Sequence, residues 1–188
     1  KDEEAIGYTY NPEKAEQLLA EAGYPKGKGL PEITLQTNAS YLDLCEYIQG
    51  EVTSIGVRLK VEVSPPSTLR QSIATSKIPF FRASWIADYP DAENYLACFY
   101  SNNFYPNGPN YSRYSNADFD RLYEAAMNKT ELKERQKLLS KMDSTLLVNP
   151  AFVTLYYDKS LRITTSNILN LWSYPNNMLQ LKYVQKVR

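Results

Sequence analysis

The chain has 188 residues, with 21 lysines plus arginines against 21 aspartates plus glutamates, and no histidine. That length buries a core of its own without a metal or disulfide staple, and the even charge balance lacks the basic excess of a nucleic-acid binder. The absent histidine removes the commonest metal ligand and general base, so serine, cysteine and zinc hydrolase sites lose their usual central residue.

The opening, KDEEAIGYTYNPEKA, passes from charge straight into a helix start, as expected of a chain cut from within a longer one, and carries no leader pattern. Asn11 before Pro12 sets a capping side chain ahead of a proline at the first helical position, and Ala15, Leu18, Leu19 and Ala22 recur at helical spacing. Gly23 supplies the left-handed end of that helix. Ile33 to Thr37 alternates apolar and polar residues and reads as a strand. From Tyr41 to Ile55 the apolar positions Tyr41, Cys45, Ile48, Val52 and Ile55 fall on one helix face, ended by Gly56. Val57, Leu59, Val61 and Val63 alternate with Arg58, Lys60 and Glu62 in a second strand, stopped by Pro65-Pro66. Ser67 is the predicted cap of a short helix reaching about Ala74, and a third strand is predicted from Phe80 to Trp85. Strands separated by helices imply crossovers within one sheet, so the fold class is α/β.

Between Tyr100 and Arg113 the chain is rich in Asn, Pro, Ser and Tyr and reads as a loop. Helices are predicted over Ala117–Met127, capped by Asn116, and over Glu131–Leu147, capped by Thr130 and stopped by Pro150. Phe152 to Tyr157 reads as a buried strand, and Met178 to Val184 as a last one. Cys45 and Cys98 lack a metal-type spacing and sit in apolar runs, as small core residues do, with their pairing left open. No apolar run approaches 18 residues. The 16 tyrosines suit wet ligand grooves and half-buried strands equally. No pattern here asks for a cofactor or a metal.

The segment from Phe81 to Asp91, FRASWIADYPD, crowds aromatics, one arginine and two aspartates onto the point where a strand gives way to a loop. Ligands of α/β folds are held at strand ends, and an apolar wall with a few charges is the composition of a small-ligand site. On that reading Asp88 accepts hydrogen bonds from a ligand ammonium, Arg82 grips a carboxylate through its fork, and Trp85 and Tyr89 form the wall. The other reading has Trp85 filling core volume, Asp88 and Asp91 capping a helix that begins near Ala92, and Arg82 as a solvated strand charge. Asp88, Asp91 and Glu93 also suggest the acid and base of a glycosidase, although neighbours on one loop do not establish the separation that chemistry needs. The charges at Glu131, Lys133, Glu134, Arg135, Lys137 and Lys141 read as a solvated helix face.

Four blocks carry a resemblance. Tyr10-Asn11-Pro12-Glu13-Lys14-Ala15, with Leu18 to Pro25, resembles the YxPEKAxxLLxEAGYP signature of bacterial extracellular solute-binding protein family 5, the oligopeptide-, dipeptide- and nickel-binding receptors of ABC transporters. WIADYPDAENYL at 85–96 is similar to that family's W-x-x-D-Y-P-D-P segment, and Tyr114 to Leu122 to its Y-x-N-P-x-F-D-x-L helix start; Ala92 and Ala117 stand where the family often has proline. Arg135, the helix up to Pro150 and the tyrosines at 156 and 157 are similar to its final stretch. The resemblance implies the C-terminal lobe of a type II periplasmic-binding-protein fold, a mixed sheet flanked by helices. Residues 1–165 would form that lobe, and residues 166–188 a return segment docked on an N-terminal lobe of the same receptor. It also implies a non-enzymatic, extracytoplasmic receptor, periplasmic or cell-surface and lipid-anchored at full length, that hands a peptide to an ABC-transporter permease. Saccharide and metal-chelate binders share the scaffold, and a hydrolase is the more distant alternative. By the same resemblance Asp88 matches the aspartate that holds a peptide's α-amino group, and Arg82 an arginine that faces the bound peptide in some members.

Overall fold

The computed structural model describes residues 8–159, 161–174 and 178–187. The charged opening over residues 1–7 lies outside them, as do 160, 175–177 and 188 in the tail. The chain divides into two compact units, Lys1–Ser84 with Asn102–Tyr111 and Trp85–Ser101 with Ser112–Arg188.

In the first unit, helix α1 (Pro12–Glu21) begins as the sequence predicts, with the Asn11 side chain accepting the Lys14 N–H at 2.9 Å. Strands β1 (Ile33–Thr37) and β2 (Leu59–Val63) run parallel in register, Ile33 opposite Leu59 and Thr37 opposite Val63. Parallel pairing needs a crossover, and helix α2 (Leu42–Ser54) supplies it. Leu35, Leu59 and Cys45 are buried together, with Ile48, Val52 and Val61 packed around them, so the face read from helical spacing is the face that meets the sheet.

Helix α3 (Pro66–Ala74) starts one residue before the predicted cap: Pro65 precedes it and Ser67 lies inside its first turn. The proline's fixed φ opens the helix, and no side-chain cap forms. The predicted third strand contracts to a single bridge between Gln36 and Phe81. Gln36 donates to the Phe80 carbonyl and accepts from the Arg82 N–H at 3.1 and 2.9 Å, but β1 stops at Thr37 because Asn38 turns the chain, its side chain accepting the Ser40 N–H. Arg82 onward therefore has no ladder to join.

Two glycines pin a tight crossing in this unit. Gly27 and Gly56 both have positive φ, 70° and 93°, and a Cβ on Gly56 would stand 2.2 Å from the Lys26 carbonyl oxygen. An L side chain there meets both left-handed strain and a backbone collision.

In the second unit, helices α4 (Glu93–Leu96), α5 (Ala117–Met127) and α6 (Leu132–Val148) surround one core. Phe119, Tyr123 and Ala126 from α5 meet Leu139, Met142 and Leu146 from α6, with Leu96 from α4 closing the cluster. Asn116 caps α5 as predicted, accepting from Asp118 and Phe119. The cap of α6 is Glu131 rather than Thr130: its carboxylate accepts the Lys133 and Glu134 N–H groups at 3.1 and 2.7 Å, one residue later than the hydroxyl would reach.

The tail departs furthest from its prediction. Phe152 stacks on Phe99 with ring centroids 4.6 Å apart, yet Phe152 to Tyr157 forms no strand, and Val153 and Tyr157 are 78% and 93% exposed. A strand needs a partner ladder, and the described residues offer it none. Likewise Leu181 and Val184 close a turn, and pairing falls to two short strands, β3 (Ile168–Leu169) with β4 (Gln185–Lys186), antiparallel. The predicted strand over Met178–Val184 is thus displaced past its end. Among the described residues no helix is long and apolar enough to cross a membrane.

The Gly56→Ala variant is expected to lose about 2–4 kcal/mol of stability from strain and collision combined. Gly50→Ala, on α2 where an added Cβ meets nothing within 4 Å, gains about 0.5–1 kcal/mol. Urea unfolding of the two variants side by side checks both signs.

Candidate functional site

Trp85, Asp88 and Tyr89 lie in the second unit, on the loop that leads into α4; Arg82 lies in the first.

The loop is organised by side chains that follow it. Asn94, in α4 and 5% exposed, uses one amide oxygen to accept two N–H groups: the Trp85 indole at 2.8 Å and the Asp88 backbone at 3.2 Å. Asp91 accepts the Glu93 N–H at 2.8 Å, so it caps α4 as the structural reading of the sequence had it. Its carboxylate is also gripped by Arg135 of α6 through Nη1–Oδ2 at 2.8 Å and Nη2–Oδ1 at 3.2 Å. This fork holds the Asp91 carboxyl below its usual range, chiefly through the arginine bonds, and raises the arginine in turn. Arg135 is thereby taken out of the solvated face that the sequence pattern assigned to it: its side chain is only 21% exposed.

Glu93 is buried at 8% exposure and accepts hydrogen bonds from the Tyr89 and Tyr123 hydroxyls. The bond to Glu93 is the main reason the Tyr89 hydroxyl is held above its ordinary value, opposed by a smaller lowering from the Asn94 side chain. The Tyr89 ring is 46% exposed and Trp85 37%, so Trp85 does not fill core volume. Cys98 is half-buried, and burial pushes its thiol up to about 12, with Glu93 and Asp88 adding repulsion; it and Cys45 are free. The Cys98 thiol is therefore not a nucleophile at neutral pH, and Cys45 is fully buried.

Asp88 differs from its neighbours. Its backbone N–H is fixed by Asn94, but its carboxylate is exposed and has no hydrogen-bond or ion-pair partner among the described residues. It does not cap α4. Of the three acids from Asp88 to Glu93, two are committed to the fold and one is left for solvent or a ligand.

In the first unit the Arg82 guanidinium lies 3.2 Å from the Tyr41 ring centroid and donates through Nη1 to Ser84 Oγ at 3.3 Å. Its Nε is buried without a partner. Arg82 is therefore a half-buried, aromatic-stacked cation rather than a solvated strand charge.

Among the described residues no group of three or more His, Cys, Asp or Glu side chains is disposed to hold a metal. The structure brings Trp85, Asp88 and Tyr89 together around Asn94 and Glu93. Sequence reasoning missed the organisers: Asn94 was only a letter within WIADYPDAENYL, and Arg135 stands 44 positions from its partner.

A family model described as bacterial extracellular solute-binding proteins, family 5 Middle, matches residues 1–107. The chain belongs to this family of solute-binding proteins. Similar family 5 members include heme-binding protein A of Haemophilus influenzae, 30% identical over 141 residues, which covers 73% of this chain and 26% of that protein. The dipeptide-binding protein DppE of Bacillus subtilis is 25% identical over 183 residues, covering 94% of this chain and 32% of the relative. The chain thus spans about a quarter to a third of the length of these relatives. Among solved structures, the ABC transporter-associated periplasmic binding protein DppA of Helicobacter pylori, in complex with the peptide STSA, superposes with a TM-score of 0.70 at 26% identity, over 78% of this chain and 28% of that one. The α/β fold expected from the sequence holds, as a portion of the type II binding-protein fold.

The Asp91 carboxyl has a lowered value in the folded protein, so its contribution to stability is complete above the ordinary 3.8 and is lost as the pH falls through the lowered value. Arg135→Met is expected to cost about 1 kcal/mol, a figure discounted because the carboxylate is 34% exposed, and to flatten the acid limb of stability. Urea midpoints across the acid range, with wild type and variant compared, check the magnitude and the sign.

Proposed function

We propose that this chain is part of an extracytoplasmic receptor that captures a peptide for uptake through an ABC-transporter permease, with Asp88 accepting the peptide's ammonium group. The observation that carries this reading is the sorting of the loop's acids: Asp91 and Glu93 are engaged within the fold, and Asp88 is exposed and unpaired. An ammonium desolvated against such a carboxylate gains a charge-assisted bond that the protein does not already use. The family and the peptide-binding names of DppE and DppA support the ligand class.

The same sorting argues against catalysis, because a hydrolase would need a second available carboxylate and the two candidates are in use. Trp85 and Tyr89 supply the apolar wall of their loop, and in its own unit Arg82, stacked on Tyr41, is a separate candidate for a ligand carboxylate. We assign residues 1–165 to one lobe and 166–188 to a return segment docked on an N-terminal lobe. The exposure of Trp172 and Leu181, 53% and 61%, supports a partner for that tail. Periplasmic or surface location, with a lipid anchor on the full-length protein, belongs to the same reading. The exposed Trp85 and Tyr89 rings favour a second ligand class, a saccharide stacked on them, which would make little use of Asp88.

Calorimetry on the intact receptor with short peptides separates these readings. Asp88→Ala should weaken peptide binding by at least about a hundredfold, because removing one member of a desolvated charge pair costs about 3–5 kcal/mol. Unchanged peptide affinity, or displacement of the peptide by soluble sugars, would count against it.

A further inference from the structure

We infer that Asn94 is a positioning residue for ligand selectivity: by holding the Asp88 amide and the Trp85 indole on one oxygen, it fixes the direction in which the Asp88 carboxylate leaves the loop. This rests on the reading of Asp88 as the ammonium acceptor and adds what makes that acceptor selective.

The geometry is specific. An amide oxygen has two lone pairs, and here both are taken, by the indole at 2.8 Å and the Asp88 N–H at 3.2 Å. These donors flank the residue whose carboxylate is left over. Asn94 is itself 5% exposed, on a helix whose neighbouring Glu93 is bonded to Tyr123 and whose cap, Asp91, is bonded to Arg135. The loop is therefore referred to the α5 and α6 core through three consecutive kinds of bond, and Asn94 is the one that reaches Asp88. Trp85 and Asp88 sit on an otherwise exposed stretch, where a backbone without that anchor would sample many directions. An undirected carboxylate still prefers a cation to a neutral amide, but the preference shrinks when the carboxylate is not held where the ligand's ammonium comes to rest.

The test uses the intact receptor and an equimolar pool of tri- to pentapeptides, offered with free and with acetylated N-termini, the retained fraction being read by mass spectrometry. Wild type is expected to retain free-amine peptides over acetylated ones. Asn94→Ala should cut that ratio by tenfold or more while the melting curve stays cooperative, and Asn94→Asp, which keeps an acceptor oxygen, should restore part of it. Amide exchange supplies an arm that needs neither ligand nor variant: in wild type the Asp88 N–H should exchange at least tenfold more slowly than an unprotected amide. Asp88→Asn is the reference. If Asp88→Asn abolishes the ratio and Asn94→Ala keeps it, the role of Asn94 is overturned and the Asp88 reading stands. If wild type retains both pools equally while the Asp88 amide is protected, the ammonium reading fails and takes the selectivity inference with it. An unprotected Asp88 amide in wild type overturns the positioning role directly.

Discussion

Two parallel hydrogen bonds from the Arg135 guanidinium to the Asp91 carboxylate join α6 to the cap of α4, and the order of residues 85–94 depends on that join. Helix α4 is only four residues long and would not hold its own geometry by backbone bonds alone. Its register is set from outside, by the arginine at its cap, by the Tyr123 hydroxyl on Glu93, and by Leu96 in the core with Phe119 and Met142. With α4 fixed, Asn94 is fixed, and with it the loop carrying Trp85 and Asp88. A bidentate fork suits this task better than a lysine, since it specifies orientation as well as charge.

The same join distributes the charges. Acids that cluster before a short helix repel one another, and each must be hydrated, protonated or paired. Asp91 is paired with an arginine and Glu93 receives two hydroxyls, so their demands are met inside the unit. Asp88 is exposed and has no such partner among the described residues, and on the proposed reading it is the acid left to a ligand group. On that reading this is the useful arrangement, because a carboxylate held in direction but not satisfied is the one a ligand ammonium can take up.

Much of the architecture was legible because its signals are local. Asn11 before Pro12, Asn116 before α5, and the alternation around β1 and β2 act over a few residues, and the structure places those elements within a residue or two of the reading. The tail was not legible for the opposite reason. Val153 and Tyr157 carry strand-like side chains, but a strand exists only against a partner, and none among the described residues pairs with them. The cap of α3 missed by two positions and that of α6 by one, where a proline and a carboxylate competed with the hydroxyl the pattern favoured. At the site, motif and composition singled out Trp85, Asp88 and Tyr89. The contacts that organise them run from Asp91 to Arg135 and from Glu93 to Tyr123, separations of 44 and 30 residues that no window of sequence contains.

The central claim is that one acid of this loop is available and two are not, and carbodiimide-driven amidation of carboxylates reads that difference directly. Peptide mapping after brief labelling of the native protein should find Asp88 modified at the rate of an exposed aspartate, Asp91 and Glu93 at least tenfold more slowly, and Asp88 alone shielded when a bound peptide is present. Equal labelling of Asp91 or Glu93 with Asp88, or an Asp88 that resists the reagent in the free protein, would contradict the account.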